Sequence, residues 1–124
     1  MGDRSGARTP EDFFAGFPDG LTLHRAVERM VGGIGAAAVA VTKSQIAFRR
    51  RTGFAYVWRP GRYVRSEVPV VLSIALPREV ASARFKAVAH PSSTVWMHHL
   101  ELSEAAQLDD EVRRWLTEAY DHAG

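Results

Sequence analysis

The chain contains no cysteine. It therefore has no disulfide framework, no thiolate nucleophile and no cysteine-ligated zinc. Long apolar runs are missing too: none approaches the roughly 20 residues that cross a bilayer. Residues 1–8 are polar and lack the hydrophobic segment of a signal peptide. Residue 6 is glycine, where a myristoylation signal needs Ser or Thr. A cytoplasmic protein without a membrane partner is the expectation. One sign of charge is also absent over a long stretch. No acid lies between Glu28 and Glu67, whereas Arg29, Lys43, Arg49, Arg50, Arg51, Arg59, Arg62 and Arg65 all do. Downstream the balance reverses, with Glu101, Glu104, Asp109, Asp110, Glu111, Glu118 and Asp121 set against Arg113 and Arg114. The net charge is only +2, so the molecule is not a polycation and the placement of charge carries the information. Such asymmetry marks a nucleic-acid surface, two faces of one domain that satisfy each other, or two subunits that do.

What is present suffices for one folded domain. The chain has 124 residues, of which 46% are hydrophobic and 24% charged, enough for a core inside a soluble surface. Residues 1–8 read as a disordered tail and residues 9–124 as the domain. Thr9 as N-cap, Pro10 at the first helical position and Asp12 three residues after the cap open a short helix. Phe13, Phe14 and Phe17 give it something to bury, and Gly16 and Pro18 stop it. Asp19 is placed to cap a second helix. Its stripe of Leu23, Val27, Met30, Val31 and Ile34 recurs at threes and fours, and Gly32, Gly33 and Gly35 end it. Residues 36–42 alternate Val39 and Val41 with alanines, and the nearby glycines favour a strand over more helix.

Residues 46–58 read as a hairpin. Ile46 and Phe48 alternate with Ala47 and Arg49; Phe54, Tyr56 and Trp58 alternate with Ala55 and Val57. Thr52 and Gly53 lie between the runs, and the glycine is expected to supply the positive φ of a tight turn. On this reading Phe48, Phe54, Tyr56 and Trp58 form an aromatic wall of the core, and Arg49, Arg50 and Arg51 crowd a solvated turn. Residues 59–66 are a loop. Residues 68–76 are apolar on both faces, a strand covered on both sides or one beside an oligomer contact. In residues 78–90, Val80, Ala83, Phe85 and Val88 are partly helical in spacing. Residues 94–102 are a further strand, with Trp96, His98, Leu100 and Leu102 on one face and Val95, Met97, His99 and Glu101 on the other. Ala105, Leu108, Val112, Trp115, Leu116, Ala119 and Tyr120 trace the buried face of a last helix, begun by Ser103 or by Asp109. The sum is an α+β domain: two N-terminal helices, an antiparallel sheet of about five strands, and a C-terminal helix packed on the sheet.

The order of these pieces, with Val41-Thr42-Lys43-Ser44-Gln45-Ile46-Ala47-Phe48, His99-Leu100-Glu101-Leu102 and Leu108-Asp109-Asp110-Glu111-Val112 leading to Ala119-Tyr120, resembles the domain of unknown function 5655 family. The similarity runs from about Pro10 to about Asp121. It implies a small α+β domain, found alone or as the last part of a longer chain. Some members of the family are labelled predicted transport proteins and some sit beside nuclease-like domains. The family has no agreed catalytic residues, so the resemblance assigns none here.

The chemistry points to binding more than to catalysis. His98 and His99 are adjacent on a strand and so point to opposite faces, which keeps them from sharing one metal. His98, beside Trp96 and Leu100, reads as a hydrogen-bonded core histidine; the pair remains a candidate polar site. No serine sits in a nucleophile elbow, and Gly32-Gly33-Ile34-Gly35 lacks the Lys and Ser/Thr of a phosphate loop. No catalytic residue, metal ligand or cofactor is therefore assigned. The basic stretch is the leading candidate: Lys43, Arg49, Arg50, Arg51, Arg59, Arg62 and Arg65 for an anion or a nucleic-acid backbone, with Tyr56, Trp58 and Tyr63 for stacking. The function read from the sequence is a non-catalytic binding domain. A homodimer built on the 68–76 strand or the Trp115 face is one alternative, and a small hydrolase with a histidine/carboxylate site is another.

Overall fold

In the computed structural model, the described residues are 8–62 and 65–124. The expected tail falls outside them except for Arg8, and so does the stacking candidate Tyr63. Among these residues, three α-helices and six strands follow one another as α1 (Pro10–Phe13), α2 (Pro18–Ile34), β1 (Ala38–Val41), β2 (Ile46–Arg49), β3 (Gly53–Trp58), β4 (Val70–Leu76), β5 (Phe85–Ser92), β6 (Val95–Leu102) and α3 (Asp110–His122). The sheet is antiparallel throughout, in the order β1-β2-β3-β4-β6-β5. No helix among the described residues is long and apolar enough to cross a membrane.

The helices cover one face of the sheet. Val27 and Val31 of α2, with Val112, Leu116 and Ala119 of α3, join Ile46, Phe48, Val57, Leu72, Ile74, Leu100 and Leu102 in one buried cluster. Strand alternation selects these residues: Ile46 pairs with Val57, Val57 with Leu72, and Leu72 with Leu100, so all four share that face. α1 starts as its sequence dictates, with the Thr9 hydroxyl accepting from the Asp12 amide and the Asp12 carboxylate accepting from Thr9. α3 is capped by Asp109, whose side chain accepts from the Val112 amide, and residues 105–107 form a separate 3-10 turn before it.

Several expectations change. The N-cap of α2 is Phe17 with Pro18 in the first turn, and Asp19 caps nothing. Residues 85–92 form β5, a sixth strand at the sheet edge. A bulge between Phe85 and Ala87 lets Phe85 and Val88 pair with Leu100 and His98 on one face, so the spacing of three imitates a helix. β4 is the strand between β3 and β6, paired on both sides and buried along its whole length. Trp115 is likewise buried in the core. Neither carries an exposed dimer surface.

The aromatic wall is split. Phe48 and Phe54 are buried in the core, but Tyr56 pairs with Ser73 and Trp58 with Val71 on the face that no helix covers. A register shift after Phe48 separates Phe54 from Tyr56: Phe48 faces Ala55 while Arg49 faces Gly53. Phe54 then packs edge-on against Tyr120 of α3. Gly53 supplies no positive φ; among the described residues only Gly16 has one, at 82°. A side chain at Gly53 would instead collide with the Tyr56 hydroxyl, so the glycine lets that ring lie down along the strand.

Candidate binding face

The helix-free face is built from alternate residues of all six strands. Ala47, Tyr56, Ser73 and His99 form one row across it, and Trp58, Val71 and Glu101 the next. Tyr56, Trp58 and His99 are only partly buried. The Trp58 indole N–H donates to Ser73 Oγ at 2.8 Å, and Ser73 Oγ lies 2.6 Å from His99 Nδ1. An indole nitrogen only donates, so Ser73 Oγ accepts from Trp58, and its hydroxyl is left able either to donate to Nδ1 or to accept from it. In the arrangement where Ser73 donates, the ring proton of His99 sits on Nε2, on the side away from Ser73. The His99 ring stands perpendicular to Trp58, with centroids 6.0 Å apart. Burial, assisted by the neighbouring His98, lowers the His99 pKa from its ordinary value, which keeps the ring neutral at pH 7.

Three cavities follow one another along this face. The first, of about 370 Å³, has Arg51, Gly53 and Tyr56 in its wall and reaches the end of α3 at His122. The second, of about 440 Å³, lies between Tyr56, Trp58 and His99 and is closed by Ser44 and Gln45. The third, of about 420 Å³, shares Trp58 and His99 and adds Lys86 and Glu101. Tyr56 is common to the first two and the Trp58–His99 pair to the last two, so the cavities adjoin in a row, a groove walled in turn by these rings, with an arginine at one end and a lysine at the other.

Chemically the groove suits holding more than bond-breaking. Ser73 is 2% exposed, its hydroxyl engaged by both Trp58 and His99. A nucleophile must reach its electrophile, and this one is under the indole. His99 and Glu101 share a cavity, but no hydrogen bond joins them. No cluster of three or more metal-type ligands occurs among the described residues. His98 lies in the core, 0% exposed, with Nε2 accepting from the Val80 amide at 2.9 Å and Nδ1 3.0 Å from the Trp96 carbonyl. The two adjacent histidines thus serve opposite faces, His98 the packing and His99 the groove.

The basic residues divide among three places. Arg49 pairs with Ala38, which puts it on the helix-free face, and it is exposed. Arg51 is exposed at the groove end. Arg50 turns to the helix side: its guanidinium sits 4.1 Å from the Tyr120 ring centroid and donates to the Tyr120 carbonyl at 2.9 Å. Lys43, in the β1–β2 turn, is exposed at the opposite end of β2, about 10 Å away along the strand. Arg59 lies over the Phe17 ring at 3.5 Å, and Arg65 is exposed beyond it. Arg62 contributes its backbone to a 3-10 turn at 60–62. Three acids of the C-terminal segment pair elsewhere: Glu118 with Arg78, and Asp109 and Glu111 with Arg84. Lys43, Arg49 and Arg51 have no carboxylate partner among the described residues.

Sequence reasoning missed Lys86 because its strand was read as half-helical, and Gln45 because it sits in a turn. Ser73 was legible only as a serine in an apolar strand. Its role depends on the pairing of β4 with β3 and β6.

Comparison with known proteins agrees with the resemblance read from the sequence: residues 11–123 match a family described as Domain of unknown function (DUF5655). No curated protein and no solved structure matches.

Proposed function

The chain belongs to the DUF5655 family, whose description names no activity, and from its geometry we propose a non-catalytic domain that binds single-stranded nucleic acid along the helix-free face of its sheet. The observation that carries this reading is the row of adjoining cavities in which Tyr56 and Trp58 lie between Arg51 and Lys86. Aromatic rings on an open sheet stack unpaired bases, and a guanidinium at the groove end meets the phosphates. In the tautomer where Ser73 donates to Nδ1, the His99 Nε2–H offers a neutral donor to a base carbonyl or ring nitrogen. Glu101 in the same wall is a natural acceptor for an exocyclic amine.

Fluorescence anisotropy with labelled single-stranded and duplex oligonucleotides at low salt tests the reading. The single strand is expected to bind and the duplex to bind more weakly, because paired bases do not reach the rings. Tyr56→Leu is expected to weaken single-strand binding about tenfold, in line with the loss of one stacked base. Equal affinity for both forms, or binding indifferent to Tyr56, would remove the proposal.

A further inference from the structure

The two edges of the sheet are built differently. β5, at one edge, carries Lys86, two register shifts and Pro91, all features that discourage another strand from adding on. β1, at the other edge, is Ala38-Val39-Ala40-Val41, with no charge, no proline and no bulge. It pairs only with β2, and Ala38, Val39 and Ala40 are exposed. Val39 is 44% exposed, one of two large hydrophobics so placed among the described residues; the other, Phe17, lies beneath the Arg59 guanidinium.

We propose that β1 pairs with β1 of a second copy of this chain, antiparallel, to make one twelve-stranded sheet from the two six-stranded ones. The strand is its own complement. The Thr42 amide bonds to the Gln45 carbonyl, and in an antiparallel ladder hydrogen-bonded pairs alternate. The amide and carbonyl of Val39 and of Val41 therefore point outward. Setting Ala40 against its own copy matches Val39 to Val41 on both sides of the axis. All four outward groups of each strand are then used. The same register puts the valines together on the helix side, where Val39 is now uncovered, and the small alanines together on the groove side. No charge on either strand opposes the contact. The two-fold axis runs perpendicular to the sheet, so both grooves face the same way. This inference is independent of what the groove binds.

A pair of four-residue edges covers less surface than a standard stable interface, so the dimer dissociates on dilution. Sedimentation of the whole chain over a hundredfold concentration range is expected to show monomer passing to dimer. Val39→Lys is expected to stay monomeric at the top of that range with an unchanged circular dichroism spectrum and melting temperature. A cysteine supplies the register: in Ala40→Cys the two thiols meet at the axis, across a non-hydrogen-bonded pair whose Cα atoms are about 4.5 Å apart, inside the disulfide range. With no other cysteine present, rapid oxidation to a covalent dimer is expected. Ala89→Cys, on the guarded edge, is expected to oxidise at least tenfold more slowly. A chain that remains monomeric at every concentration, or equal oxidation of the two cysteine variants, would overturn the proposal.

Discussion

Tyr56 and Trp58 are outward-facing because Ala55 and Val57, not they, meet the core strand β4 from the helix side. The alternation was legible in the sequence, but its direction was not. Two apolar residues and two aromatic ones compete for the same interior, and the register shift after Phe48 decides by sending Phe54 inward. Gly53 belongs to the same choice: Gly53→Ala is expected to push the Tyr56 ring off the strand and lower the melting temperature. Far from the groove, His24 is 0% exposed, with neither ring nitrogen hydrogen-bonded, between the Phe14 and Phe48 rings at 5.9 Å each. Glu28 approaches its Nε2 at 3.5 Å, outside hydrogen-bonding geometry, and Arg25 spans Glu28 and Glu11 beside it. Burial lowers the His24 pKa below 6.5, against the opposing pull of Glu28. The unfolded chain then binds the extra proton first. Stability is full above about pH 6.5 and falls as pH drops through the lower folded value. Denaturant titrations between pH 7 and pH 5 are expected to show that loss, and His24→Leu to reduce it while raising stability at pH 7 by roughly 1 kcal/mol.

At the scale of elements, the β2–β3 turn and the end of α3 hold each other. The amides of Arg51 and Thr52 both donate to the Ala123 carbonyl, at 2.9 and 3.2 Å, and Arg50 reaches the Tyr120 carbonyl. Carbonyls at a helix C-terminus lack intrahelical partners and attract cations, so the turn acts as the cap of α3. Of three consecutive arginines one is therefore structural. Arg50→Ala is expected to destabilise the fold by about 1 kcal/mol and to leave oligonucleotide binding unchanged, while Arg51→Ala is expected to do the reverse. Guanidine melts and anisotropy on both variants separate the roles. The elements themselves were mostly readable. The Thr9 cap and the Val112–Trp115–Leu116–Ala119 stripe follow from local patterns, and the structure has them; of the two starts the sequence left open for the last helix, Ser103 and Asp109, it uses Asp109. β5 was not readable, because its bulge hides a strand behind helical spacing. The α2 cap was misplaced because Pro18 fixes the first turn one residue before Asp19.

On the scale of the molecule, the charge asymmetry visible in the sequence resolves into separate jobs. Three of the C-terminal acids, Glu118, Asp109 and Glu111, are answered by Arg78 and Arg84, two cations outside the acid-free stretch. Lys43, Arg49 and Arg51 have no carboxylate partner among the described residues, and they lie on the rim of a face that linear sequence does not reveal. The groove needs two strand pairings, β3 with β4 and β4 with β6, to bring Tyr56, Trp58, Ser73 and His99 together, and pairing across a dozen or more residues leaves no local signature. With Lys43, Arg49, Arg51 and Lys86 each meeting a phosphate, log affinity should fall against log salt with a slope of about −3. The most direct measurement compares two double reversals of charge. Arg49→Glu with Arg51→Glu alters the groove rim, and Arg29→Glu with Arg114→Glu alters exposed cations of the helix layer by the same net amount. Anisotropy with a labelled single strand at low salt is predicted to show affinity lost at least tenfold in the first variant and close to wild type in the second. Equal losses in both would mean that net charge alone draws the strand, and would contradict the groove.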